Sequence, residues 1–193
     1  MENPGLRATM LLMLLSLLLT LTACGQNRPA PLSDHPDAED IFARLKQEVA
    51  SIPESYSPEK AVENGRFVLV HGSLRSDRQL ADDFVATAEA GREASLVIVQ
   101  YTIEGDPIIT NLYFDGSTYY GLEDHTRDAF KGDYDHIEFA YQQLHIHETE
   151  EEWLVFLSND PGITWERIRE SLLSSSLEER IDWRLLYRIS FSE

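Results

Sequence analysis

Two carboxylates, Glu104 and Asp106, stand one residue apart in the stretch QYTIEGDPIITNLYFDG, residues 100–116. Paired acids do general acid–base work when their surroundings split their pKa values. With His71, at the end of FVLVHG, they would supply the groups an extracytoplasmic hydrolase or cation-dependent enzyme needs, provided the three converge in a pocket. The same letters also spell a tight turn: Gly105 tolerates positive φ, Asp106 bonds to local backbone and Pro107 fixes φ. His145 and His147, two apart, put two imidazoles on one strand face, a spacing some metal sites use. Asp133, Asp135 and His136 lie upstream, and Glu148 and Glu150 downstream. Leu144 and Ile146, however, take the core-facing parity, which predicts a solvated face for both histidines and no metal site. Arg127-Asp128 reads as a local ion pair or a recognition element. No nucleophile elbow, His-Glu-x-x-His helix or phosphate-cradling glycine loop is present, so no catalytic residue and no cofactor are assigned.

The balance of charge narrows the partners. Thirty-four acidic residues against 16 basic ones give a formal net charge of -18, a field that repels phosphate backbones and excludes nucleic acid as a natural partner. A hydrophobic content of 42% is ample for a packed core. Cys24 is the only cysteine, which rules out an internal disulfide and a thiolate metal cluster. Its setting gives it a role. Residues 8–23, ATMLLMLLSLLLTLTA, form an apolar run behind Arg7 of signal-peptide length, shorter than a spanning helix requires. The run closes on Leu21-Thr22-Ala23-Cys24-Gly25, which resembles the lipobox of bacterial lipoproteins, where the thiol takes diacylglycerol and the leader is removed. More than one acyl chain gives stable anchoring where a single chain is marginal. The expected organisation is a signal peptide over 1–23, the lipidated cysteine with a proline-bearing tether over 24–36, a helix over 37–52 and one domain over 56–193. The chain is thus placed on the extracytoplasmic face of the cell membrane, held by lipid on Cys24.

The elements that must position the candidates follow from periodicity and punctuation. Over 37–51, Ile41, Phe42, Leu45 and Val49 share a helical face, with Asp37 as the expected cap; the helix reads as an appendage to the domain. Ser57, Pro58 and Gly65 bracket a short helix as N-cap, first helical residue and left-handed C-cap. A buried strand over 67–72 follows. A capping-box pattern at Ser76–Gln79 then opens a helix that ends at Gly91. The period next switches to two, and a meander of three strands turns at Glu104–Pro107 and at a two-residue Asp115-Gly116 corner. Residues 123–135 read as a loop. Ile137, Phe139 and Tyr141 continue on the opposite parity at Leu144 and Ile146, which predicts a bulge near Gln142-Gln143. Residues 153–157 pair back across an acidic turn, and Trp165, Ile168 and Leu172 mark a helix. Strict alternation from Ile181 to Phe191 marks a last strand. The predicted class is α+β: a mainly antiparallel sheet with one or two helices on a face.

Two segments, YSPEKAVENGRFVLVHG and QYTIEGDPIITNLYFDG, carry a resemblance. They are similar to an uncharacterised domain family found in small lipoproteins of Gram-positive, spore-forming bacteria. The pattern falls here on Pro58, Glu59, Ala61, Asn64 and Gly65, on His71-Gly72, on Tyr101-Thr102 with Glu104 to Ile108, and on Arg127-Asp128 with Phe130, over roughly residues 56–158. Arg66 stands where the family carries an acid, and the cysteines common near the family's C-terminal hairpin are missing. The resemblance implies the fold and the compartment but no reaction. It also puts weight on side chains that a turn alone does not need. His71, Tyr101, Thr102, Glu104, Asp106, Arg127 and Asp128 are therefore the expected surface of a non-catalytic binding module that engages a protein or envelope partner. The alternative is the enzyme built on Glu104 or Asp106 with His71.

Overall fold

The computed structural model describes residues 37–174 and 180–191. The expected leader, Cys24 and the expected tether lie outside them. Helix α1 (Ala38–Ala50) buries Phe42, Leu45 and Val49 on one face, as its spacing requires, but Asp37 makes no side-chain cap. Helix α2 (Pro58–Glu63) starts on Ser57, whose Oγ accepts from the Lys60 amide at 3.3 Å. Gly65 closes it at φ +70, with Gly65 N–H on the Val62 carbonyl and Arg66 N–H on that of Ala61. That is the paired bonding of a Schellman cap. Strands β1 (Phe67–Val70) and β2 (Ser73–Leu74) form a hairpin, and helix α3 (Gln79–Glu89) leads into β3 (Ala94–Tyr101). The capping box is not formed: Ser76 Oγ accepts from the Val68 amide instead, and Asp77 Oδ1 takes the Gln79 amide at 2.9 Å. β4 (Pro107–Phe114), β5 (Tyr119–Asp124) and β6 (His136–Tyr141) complete an antiparallel run. The corner at Asp115 has four residues rather than two, because Asp115 Oδ1 gathers the amides of Ser117 and Thr118 and holds the loop open.

The main sheet runs β2-β1-β3-β4-β5-β6, with only the β1–β3 pair parallel, as the crossover through α3 demands. A second sheet, β7 (Gln143–Glu148), β8 (Glu152–Ser158) and β9 (Trp183–Ser190), was not foreseen. The expected bulge at Gln142-Gln143 is in fact a break at Gln142, where the chain leaves one sheet and enters the other. Among the described residues the structure is therefore mixed α and β, with a mostly antiparallel six-stranded sheet, a three-stranded sheet and four helices, the last being α4 (Trp165–Leu173).

Three apolar layers hold these parts together. One face of the main sheet, through Val68, Val99, Ile109, Tyr120 and Leu122, packs against Phe42, Leu45 and Val49 of α1 and against Ala61 of α2. The N-terminal helix is thus a wall of the core and not an appendage. Each fully buried leucine or isoleucine there contributes about 1.5–3 kcal/mol. The other face, through Phe67, Ile98, Leu112 and Phe139, packs against Phe84 and Val85 of α3 and against Trp153, Tyr187 and Ile189 of the second sheet. The far side of the second sheet, at Phe156, is closed by Ile163 and Ile168 with Trp165 and Trp183. The alternation of the last strand serves two of these layers. Val155 pairs with Tyr187 and Phe156 with Leu185, which leaves Leu186 as the extra residue of a bulge. Trp183 faces α4, while Tyr187 and Ile189 face the main sheet.

Candidate functional site

The candidates gather at the end of the main sheet where β1 and β3, running parallel, both finish. Val70 pairs with Ser73, so His71-Gly72 is a two-residue hairpin with both residues at positive φ, +51 and +76. This is a type I′ geometry that glycine adopts freely and histidine at a cost. The His71 ring repays part of that cost, since Nε2 donates to the Thr102 carbonyl at 3.2 Å. The β3–β4 corner, residues 102–106, is closed by Thr102 N–H on Asp106 O and Gly105 N–H on Thr102 O, each 3.0 Å, with Gly105 at φ +95. Thr102 Oγ1 also accepts from the Asp106 amide at 3.2 Å. The Asp106 carboxylate reaches out of the corner, where Oδ2 accepts from the Ala129 amide at 3.0 Å and ties the β5–β6 loop to it. Asp128 folds that loop on itself by accepting from the Phe130 amide at 2.8 Å. Glu104 is exposed and bonds to none of the described residues.

Two other candidates point inward. Tyr101 is buried, and its hydroxyl donates to the Tyr56 carbonyl at 2.8 Å, while Asn64 Nδ2 donates to the Tyr56 hydroxyl at 3.1 Å. Burial holds the Tyr101 phenol above the ordinary tyrosine range, so it stays a neutral donor. The Arg127 side chain is 7% exposed and pairs with Asp124, itself 2% exposed. Its remaining N–H groups go to the carbonyls of Val49 at 3.1 Å, Ile52 at 2.6 Å and Pro53 at 3.1 Å. Arg127 thus caps the C-terminal end of α1 with a guanidinium, and its charge suits the negative pole there.

Among the described residues His71 is joined by hydrogen bond or ion pair to neither Glu104 nor Asp106: its ring goes to the Thr102 carbonyl and the Asp106 carboxylate to the Ala129 amide. The two strand histidines depart from expectation in the other direction. Ile146 is exposed, whereas His145 stacks on Phe156 with ring centroids 5.1 Å apart and His147 lies 6.4 Å from Trp165. Leu144 packs on the main core as its parity predicts, and the opposite face, which carries the histidines, is covered by Phe156 and the α4 layer instead of water. Burial pushes the His145 pKa down against the opposing pull of Asp160. Among the described residues no group of three or more His, Cys, Asp or Glu is placed to hold a metal ion, and no helix is long and apolar enough to cross a membrane.

Two residues outside the candidate set complete this end of the molecule: Ile103 is 83% exposed and Phe130 75%. Ile103 lies three residues before Asp106 and Phe130 directly follows Ala129, so the Asp106–Ala129 bond ties together two tips that each present an apolar side chain. The signal in sequence was an apolar residue isolated in a polar turn.

A domain of unknown function, DUF4362, is found at residues 66–153. The DUF4362 region runs from the start of β1 into β8 and contains both tips, the β1–β2 turn and Arg127. No curated protein and no solved structure matches the chain.

Proposed function

We propose that this chain is a membrane-anchored extracytoplasmic lipoprotein whose domain is a non-catalytic binding module. It would engage a basic, partly apolar protein or peptide of the cell envelope. The observation that carries the reading is the Asp106–Ala129 tie, which orders two loop tips while leaving Ile103 and Phe130 in water. Exposed large apolar side chains on ordered loops are characteristic of interaction sites. Glu104 beside them and the net charge of -18 favour a cationic partner. His71, Thr102, Asp106 and Asp128 belong to this surface as the residues that shape it, Tyr101 and Arg127 as the residues that hold it to the core. The leader and its lipobox-like end support anchoring through Cys24.

The test is a photo-crosslinking residue at position 103 or 130 of the full, anchored chain in its own cells. One dominant crosslinked partner is expected, absent when the probe sits at Glu170 on α4. Crosslinks at 103 and 130 that match those at 170 would overturn the reading. Anchoring is read separately: Cys24→Ala should abolish acyl labelling and release the protein from the membrane pellet, and retention of either would refute it.

A further inference from the structure

A second feature lies away from the loop tips. Between the C-terminal end of α1 and the main sheet is a cleft of about 260 Å³, lined by Glu48, Ser51, Ile52, Arg66, Val97 and Asn111. The polar groups in it are unevenly satisfied. Glu48 Oε2 accepts from Asn111 Nδ2 at 2.8 Å, and Asn111 is 2% exposed, so that amide is fixed in the floor of the cleft. Glu48 Oε1 and Asn111 Oδ1 accept from none of the described residues. Arg66 is the more telling group: its Nε is buried and has no hydrogen-bond partner, and its guanidinium forms no ion pair among the described residues. Its backbone is held by the Schellman cap of α2, where Arg66 N–H meets the Ala61 carbonyl at 3.0 Å, so the side chain starts from a rigid base.

Glu48 is exposed at the rim of the cleft and Arg66 is half-buried in its wall, and opposite charges that line one small cleft can pair there. Here they do not, and each keeps an open hydrogen-bonding edge. We infer that the cleft binds a small zwitterion with a carboxylate beside an ammonium group, in chemical terms a free α-amino acid. Arg66 takes the carboxylate through its planar fork. Glu48 Oε1 and Asn111 Oδ1 accept from the ammonium, and Val97 and Ile52 cover a short apolar side chain. The volume, below that of pockets for drug-sized ligands, limits the occupant to one residue. A phosphate is disfavoured by the Glu48 carboxylate and a simple amine by Arg66, so the two charges together select a molecule that carries both signs.

The proposal is independent of the loop-tip surface and is tested by isothermal titration calorimetry on the full chain in detergent. The probes are L-valine, acetate, methylammonium and inorganic phosphate. L-valine is expected to bind saturably, with acetate, methylammonium and phosphate each weaker by about tenfold or more. Arg66→Gln should weaken L-valine by at least about tenfold, and Glu48→Gln should weaken L-valine while leaving acetate unchanged. If Arg66→Gln does not fold by circular dichroism, Arg66→Lys, which keeps the charge without the fork, should still weaken L-valine several-fold. Phe130→Ala should leave L-valine binding intact, which separates this site from the partner surface. Acetate or phosphate binding as tightly as L-valine would overturn the inference. So would the absence of saturable heat with any probe, or L-valine binding unaffected by every folded Arg66 variant.

Discussion

Replacing Arg127 by alanine discriminates between a contact residue and a clamp. The side chain is 7% exposed and bonds to three carbonyls at the end of α1 besides Asp124. Its removal leaves the Asp124 carboxylate, 2% exposed, with the Thr126 amide at 2.8 Å and the more distant His136 ring at 3.6 Å. Taking one partner from a buried ion pair costs about 3–5 kcal/mol, because the other charge stays desolvated. For a chain of this size each kcal/mol lowers Tm by about 2–4 °C, so the expected fall is roughly 6–20 °C. Thermal unfolding followed by tryptophan fluorescence is the natural assay, since Trp153 is 1% exposed in the core. Arg127→Lys should fall between, since one ammonium cannot serve a carboxylate and three carbonyls on different bearings. A folded Arg127→Ala protein with Tm within about 2 °C of the parent would refute the clamp, and a simultaneous loss of crosslinking at position 130 would return Arg127 to the contact surface.

Two further outcomes follow from the core. A Cβ built on Gly121 would run into the Phe139 ring, so Gly121→Ala should destabilise by about 1–3 kcal/mol, and Phe139→Leu in the same chain should recover part of the loss. Equal loss with and without the second change, in a thermal melt, would refute that account. His145 has its folded pKa lowered by burial, so below the unfolded value near 6.5 the unfolded chain binds more protons. Its contribution is therefore present above about pH 6.5 and is lost as pH falls toward the folded value; His145→Leu should flatten the acid slope of Tm there, and an unchanged slope would exclude this histidine as its source.

What was legible in the sequence was local. Ser57, Pro58 and Gly65 fix α2 because each acts on backbone within a few residues, and the same holds for the apolar face of α1 and the Glu104–Pro107 corner. The failures begin where a side chain has a choice of partners. Ser76 had the spacing to cap α3, but the Val68 amide, eight residues back, was the better-placed donor. The strict alternation of the last strand concealed the Leu186 bulge, since Trp183 before it and Tyr187 after it pack into different layers. Gln142 looked like one extra residue in a strand, and a sheet change leaves the same parity signature as a bulge. Arg127 is the extreme case, because its carbonyl partners lie 74 to 78 residues earlier.

The stretch from Tyr101 to Pro107 then has a physical account that neither bare alternative supplied. A hairpin corner needs Gly105 and little more, and a pair of catalytic acids needs Glu104 and Asp106 in one environment. Instead each side chain has its own destination: Tyr101 to the loop after α1, Thr102 to the corner itself and to His71, Asp106 to the β5–β6 loop. Three chain segments distant in sequence are drawn to one end of the sheet by single hydrogen bonds, each contributing only about 0.5–1.5 kcal/mol. The ordering they impose on Ile103 and Phe130 therefore depends on all of them together. On this reasoning Asp106→Ala should free the β5–β6 loop at small cost in stability, since Asp106 lies at the surface end of the corner. If the two tips act as one surface, it should also weaken crosslinking at positions 103 and 130 alike. A loss confined to one of the two positions would mean that the tips act separately.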